Sequence, residues 1–278
     1  TVKLAHHLLN WLYGNKDHLK ECKIFVIPCL NPDGYKLARK TPEYFKGGKT
    51  AILRSDDYGN TFKVIEVTAQ FKAHGNGMGR QNGERLAVDP RDGNVLYCGT
   101  RGHGLFRSLN RGDAWAKVES FPAAETANEN GICFVRFAEA PKGCSKARTI
   151  YAGVSRSGLP NLYQSLDEGK TWEPVPGAER EMIPQRSVVT AKGTLVVTYG
   201  NGAGPHGHWK APEPMDKGAV KEYDPCKERW SDITPAGLTR PFGGVDALPS
   251  KPGLLILSTM NTWQKQEWGH GDALLVSQ

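Results

Sequence analysis

The chain has 278 residues, a formal net charge of +7, 38% hydrophobic residues, and 32 Gly with 18 Pro. That apolar content can fill a core, while the Gly and Pro counts point to a turn-rich chain. The charge is spread without any block of about five or six like residues, and no apolar run reaches membrane length, so nucleic acid and membrane are both set aside as partners.

The first forty-odd residues differ from the rest. Ala5, Leu8, Leu9 and Leu12 recur at i, i+3, i+4 and i+7, and Gly14 ends the run, which predicts an amphipathic helix. Lys23 to Pro28 then reads as a buried strand, so residues 1–45 are expected to form a short α/β segment. The loop Asn31-Pro32-Asp33-Gly34-Tyr35 resembles the zinc carboxypeptidases of the funnelin type. In that family a His-x-x-Glu pair and a later His hold the metal, and an arginine cluster follows the loop. The arginine cluster is missing here, which leaves the domain incomplete, although His18-Leu19-Lys20-Glu21 has the spacing of the pair. His6 and His7 are adjacent, so on a helix they point to different faces and cannot replace the pair. Residues 1–45 are therefore read as an incomplete carboxypeptidase-like domain with no metal and no cofactor, and 46–278 as a second domain.

After residue 45 helical periodicity gives way to a repeated phrase, Ser-x-Asp-x-Gly-x-x-aromatic. It runs from Ser55 to Phe62, from Ser108 to Trp115 with Asn110 in the acidic place, and from Ser165 to Trp172; a worn copy spans Tyr223 to Trp230. Together with Ser277, the serines recur at a pitch of about 56 residues, which marks an array of similar supersecondary units. An acidic or amide side chain followed two residues later by Gly makes a tight turn, because its oxygen accepts backbone N–H groups and the Gly takes a positive φ. The closing aromatic is expected to bury against a neighbouring unit. The phrase resembles the Asp-box of β-propellers, so Asp56, Asp57, Asn110 and Asp167 are read as turn-forming rather than chemical.

Short apolar runs precede the boxes at Val95–Cys98, Thr149–Ala152, Thr194–Val197 and Leu254–Leu257. Earlier runs at Arg85–Val88, Gly131–Val135 and Val245–Leu248 read as innermost strands. The expected fold is all-β, a partial β-propeller of four-stranded Asp-box blades behind the α/β segment. Cysteines 22, 29, 98, 133, 144 and 226 lack paired metal-ligand spacing and are read as buried thiols. Because the chain begins at Thr1 and stops just after Ser277 opens another box, it reads as a piece of a longer protein.

The string Gly83-Glu84-Arg85-Leu86-Ala87-Val88-Asp89-Pro90, with Gly75–Arg80 before it and Gly104–Ser108 after it, resembles glycoside hydrolase family 74. Ala51–Ser55, Phe121-Pro122, Asn201–Pro205 and Trp230–Pro235 extend the likeness over residues 47–278. That resemblance implies a xyloglucan-cleaving enzyme of two propellers, an extracellular or periplasmic location, and a catalytic pair of aspartates across the cleft between them. Neither aspartate segment occurs here, and Glu84, Asp89 and Asp246 are read as turn or core carboxylates. In the first blade of that family the catalytic aspartate follows the second strand, on the face open to the cleft, and the resemblance carried through the repeat implies that Thr100–His103, Ser155–Ser157, Tyr199–Asn201 and Met260–Trp263 lie at the equivalent corner. The candidate substrate-binding residues are Arg101, His103, Arg156, Asn201, Trp209, Trp263 and Trp268, since flat aromatics suit sugar faces and forked donors suit hydroxyls. The alternative is that Trp209 and Trp268 cover blade edges. The expected partner is a polysaccharide. A non-catalytic propeller binding polysaccharide or protein is the rival reading; a sialidase is disfavoured because Ile183-Pro184-Gln185-Arg186 has the wrong order for its signature.

Overall fold

A computed structural model describes residues 51–57, 60–71, 84–123, 125–139, 144, 148–202, 216–248, 250–260 and 273–277, with the backbone alone at 263–264 and 267–268. The expected α/β segment, the carboxypeptidase-like loop and Trp209 lie outside the described residues. The chain divides into two compact units, Thr1–Phe71 and Lys72–Gln278. Among the described residues, all helix and strand structure is β-strand.

In the first unit, β1 (Ala51–Arg54) and β2 (Lys63–Glu66) form an antiparallel hairpin closed by the first box. The second unit contains three four-stranded antiparallel blades. Blade I is β3 (Leu86–Val88), β4 (Leu96–Gly99), β5 (Leu105–Ser108) and β6 (Ala116–Lys117). Blade II is β7 (Ile132–Ala138), β8 (Thr149–Val154), β9 (Leu162–Ser165) and β10 (Glu173–Pro174). Blade III is β11 (Ile183–Val189), β12 (Leu195–Gly200), β13 (Gly218–Asp224) and β14 (Arg229–Asp232). Blade IV has β15 (Phe242–Ala247) and β16 (Leu255–Thr259), then a small hairpin of β17 (Trp263–Gln264) and β18 (Glu267–Trp268), then β19 (Leu274–Val276) beside β16. Sequence periodicity found β3, β7 and β15 but passed over β11. Pro184 masks that strand's signal, yet it is tolerated because β11 is an edge of its sheet and the register slips between Pro184 and Arg186.

The core lies in the seams between blades. Tyr97, Leu105 and Phe121 of blade I pack on Ile132, Ile150 and Ala152 of blade II, whereas Tyr151 on the opposite side of β8 joins Leu195, Val197 and Tyr199 of blade III. Val196 and Val220 turn the other way, to Phe242 and Leu257 of blade IV. Strands buried on both faces cannot alternate apolar with polar, which explains the continuous apolar runs of β8 and β12. Each fully buried Val, Leu or Ile stabilises the seam by roughly 1.5–3 kcal/mol.

The boxes fold as their chemistry predicts. In the third copy, Ser165 Oγ donates to Asp167 Oδ1 at 2.9 Å and accepts the Gly169 N–H at 2.8 Å, while Asp167 accepts the Thr171 N–H at 2.9 Å and the Thr171 hydroxyl at 2.7 Å. These bonds, the Thr171 N–H first, pull the Asp167 carboxyl down to about 2. Asn110 accepts the Ala114 N–H in the same way at 2.8 Å. The box aromatics reach back to the preceding blade: Trp172 meets Phe121 edge-on at 5.1 Å, and Trp230 donates to the Pro176 carbonyl at 2.9 Å. Phe62 departs from the expectation and is 40% exposed. Its unit offers no preceding blade among the described residues to cover it.

The cysteines also need one correction. Cys98 and Cys133 are buried thiols as expected, and burial pushes both up to about 12. Cys144 and Cys226 are instead joined in a disulfide with Cα atoms 5.5 Å apart. It ties the β7–β8 loop of blade II to the β13–β14 turn of blade III. Sequence spacing could not pair them, because 82 residues separate the two and only the stacking of blades brings them together.

Candidate functional site

In each antiparallel blade the box turn and the loop joining the first two strands lie at one end. The loop joining the second and third strands, and the connector to the next blade, lie at the other. This second end gathers the corners that sequence register singled out.

In blade I, the Thr100 hydroxyl donates to the Gly104 carbonyl at 2.7 Å and accepts the His103 N–H at 2.9 Å, which folds the corner tightly and leaves His103 exposed. Arg101 Nε donates to the Glu129 carbonyl at 2.6 Å, and its Nη2 lies 4.0 Å from the Glu129 carboxylate. The connector from blade I to blade II therefore lies against this corner. Gly131 makes that approach possible: φ is +63°, and a Cβ there would meet the Thr100 carbonyl oxygen at 2.2 Å.

Arg156, at the corner of blade II, is committed inward. Its Nε donates to the Pro160 carbonyl at 2.7 Å, its Nη2 donates to the Tyr163 hydroxyl, and the guanidinium sits over the Tyr163 ring. Asn201, at the corner of blade III, clasps the neck of its loop. Its Nδ2 donates to Asp216 at 2.6 Å and its Oδ1 accepts the Lys217 N–H at 3.0 Å. In blade IV, Trp263 and Trp268 are direct register partners in the β17–β18 hairpin. Arg101, His103, Arg156, Asn201 and the tryptophan pair thus fall on corners of four successive blades.

Sequence reasoning passed over the connector at 126–131. Here Thr126 Oγ1 accepts the Gly131 N–H at 2.8 Å and donates to Asn128 Oδ1 at 2.8 Å, while Asn128 Nδ2 donates to Ser155 Oγ in blade II at 3.1 Å. The cluster Asn128-Glu129-Asn130-Gly131 was the available signal, since Asn and Gly concentrate in turns of left-handed backbone.

The three carboxylates weighed from sequence are engaged structurally. Asp89 is buried beside Arg148; burial pushes its carboxyl up, but the guanidinium and the Arg91 and Asp92 N–H groups bring it below the usual range. Glu84 pairs with Arg136 of blade II and lies 3.7 Å from Arg186 of blade III. Asp246 Oδ1 accepts the Ala247 N–H at 2.9 Å. Among the described residues no group of three or more His, Cys, Asp and Glu could hold a metal.

No protein-family model matches the chain. A xyloglucanase from Paenibacillus sp is 37% identical over 230 residues, which is 77% of this chain and 21% of that protein. Xyloglucanase Xgh74A of Acetivibrio thermocellus is 35% identical over 235 residues, 78% of this chain and 27% of that protein. The chain thus spans between 21% and 27% of the length of these curated relatives. Among solved structures, the Niastella koreensis GH74 enzyme superposes with a TM-score of 0.70 at 41% identity, covering 84% of this chain and 33% of its own. In sequence and in fold, this chain is homologous over most of its own length to a part of the glycoside hydrolases of family 74.

Proposed function

We propose that this chain is part of a family 74 glycoside hydrolase acting on β-glucans such as xyloglucan, and that it contributes glucan-binding surface while the catalytic aspartate pair comes from outside these residues. The observation that carries the reading is the 41% identity to the Niastella koreensis GH74 enzyme over 84% of this chain. Inversion at a sugar carbon needs two carboxylates about 6.5–9.5 Å apart, one to protonate the leaving oxygen and one to activate water. Asp89 and Glu84 are instead committed to arginines across blade seams, which supports placing the chemistry elsewhere. The proposed glucan contacts are Arg101, His103, Arg156, Asn201, Trp209, Trp263 and Trp268, with the domain boundary near residue 45 and residues 1–45 as the carboxypeptidase-like piece. An extracellular or periplasmic location fits the Cys144–Cys226 disulfide, since such bonds persist in oxidising compartments.

Affinity electrophoresis in xyloglucan tests the reading. Each stacked ring adds only about 1 kcal/mol, so the parent binds weakly, and Trp263→Ala with Trp268→Ala should abolish retention without changing circular dichroism. Equal retention of the double variant and the parent would sink the tryptophan contacts. The rival is a non-catalytic propeller binding polysaccharide or protein; its protein-binding form draws support from Arg156 and Asn201 being hydrogen-bonded within the protein and predicts that the parent is not retained.

A further inference from the structure

Four residues other than glycine adopt a left-handed backbone among the described residues: Arg111, Glu129, Glu168 and Glu228. Three of them occupy the hairpin turns of the box end, where the repeat imposes the geometry. Glu129, at φ 57°, is the exception: it lies at the corner end, in the connector between blades I and II.

The turn that holds it is built on main-chain groups and on the side chains of its neighbours. The Glu129 N–H donates to the Thr126 carbonyl at 2.9 Å, and buried Asn128 and Asn130 flank it, with the Asn130 N–H donating to Thr126 Oγ1 at 3.2 Å. Glycine would keep each of these main-chain bonds without the crowding that the Cβ of a left-handed glutamate suffers. An observed backbone outlier in an over-determined turn is the kind of strain that functional sites store. The side chain so presented is 69% exposed and stands beside the Arg101 guanidinium.

On the reading above that this end binds glucan, we infer that Glu129 is a substrate-contacting residue, accepting hydrogen bonds from neighbouring hydroxyls of one glucose unit while Arg101 donates to an adjacent sugar oxygen. A carboxylate only accepts and a guanidinium only donates, so side by side they match the mixed donors and acceptors of a vicinal diol. Bonds of this kind to an ionised group are about twice as strong as neutral ones. The ligand class is therefore a neutral, hydroxyl-rich chain.

Calorimetric titration of the 278-residue chain with xyloglucan oligosaccharides, run beside thermal melts, provides the test. Glu129→Gln and Glu129→Gly should each weaken binding by about tenfold, the loss expected for a charge-assisted bond. Glu129→Gly should melt at the parent temperature or higher, because glycine accepts the left-handed φ without strain. Parent-like affinity in both variants would remove Glu129 from the contact surface while leaving the glucan reading intact. Absence of binding by the parent would overturn both. Loss of binding in Glu129→Gly together with a lowered melting temperature would make the residue a support for the turn, and the contact would be wrong.

Discussion

Asp89 of blade I and Arg148 of blade II form a forked pair, with Arg148 Nη1 donating to Asp89 Oδ2 at 2.6 Å and Nη2 donating to Oδ1. Arg148 also stands 3.4 Å from Glu139 and over the Phe137 ring. Asp89 belongs to the string Glu84–Asp89, and each charged residue of that string leaves its own blade. Glu84 pairs with Arg136, and Arg85 donates to the Asn130 carbonyl at 2.9 Å. The most distinctive stretch of the sequence is therefore a set of latches between blades.

Removing one side of the fork strands a largely buried charge. Asp89→Ala should cost about 3 kcal/mol in denaturant unfolding, and Arg148→Ala a similar amount. Because the two act as one unit, the double variant should lose clearly less than the sum of the singles. Additive losses would show that the pair contributes no coupling.

Acid should open the same seams. Asp89 beside Arg148, Glu179 beside Lys221 between blades II and III, and Asp167 within its own box turn all titrate below their ordinary values in the folded chain. The unfolded chain therefore takes up protons first as pH falls, and their stabilisation, complete at neutral pH, is lost from about pH 4 downward. Melting temperature measured from pH 7 to pH 2 should hold on the neutral side and then drop, with a shallower drop in Asp89→Asn. A parent whose melting temperature stays level down to pH 2 would contradict this.

Gly169 links a box turn to the blade before it. Its φ is +84°, and a Cβ there would meet the Tyr97 hydroxyl oxygen at 2.0 Å, the same hydroxyl that donates to the Glu168 carbonyl at 3.0 Å. Gly169→Ala should therefore cost more than the roughly 1–2 kcal/mol of a left-handed alanine alone. Adding Tyr97→Phe removes the oxygen, so the double variant should recover part of the loss. No recovery would mean that backbone strain is the whole effect.

The disulfide gives a chemical test of blade order. Peptide mapping without reductant should find the Cys144 peptide joined to the Cys226 peptide, with Cys98 and Cys133 alkylated only after unfolding. Reduction, or Cys144→Ser with Cys226→Ser, should lower stability by about 2–4 kcal/mol. Thiols at both positions in the native protein would contradict the pairing.

The sequence by itself determined the repeat, the four-stranded unit and the turn chemistry, because the repeat is a regular pitch along the chain and each strand and turn within it is set by residues close in sequence. Ser165, Asp167, Gly169 and Thr171 meet by local hydrogen bonds, and their spacing alone announces the turn. It also put Thr100–His103, Ser155–Ser157 and Tyr199–Asn201 at the ends of second strands, since each follows directly on the apolar run that marks that strand. What only the tertiary structure decided involves partners in different blades: the Asp89–Arg148 fork, the Cys144–Cys226 bond, and Trp172 on Phe121. Their separations along the chain carry no periodic signal, because they depend on how one sheet is rotated and stacked on the next. Glu129 belongs to this group as well. In the sequence it is one glutamate in a polar connector, and only the packing of that connector against the Thr100 corner sets it in a left-handed turn beside Arg101.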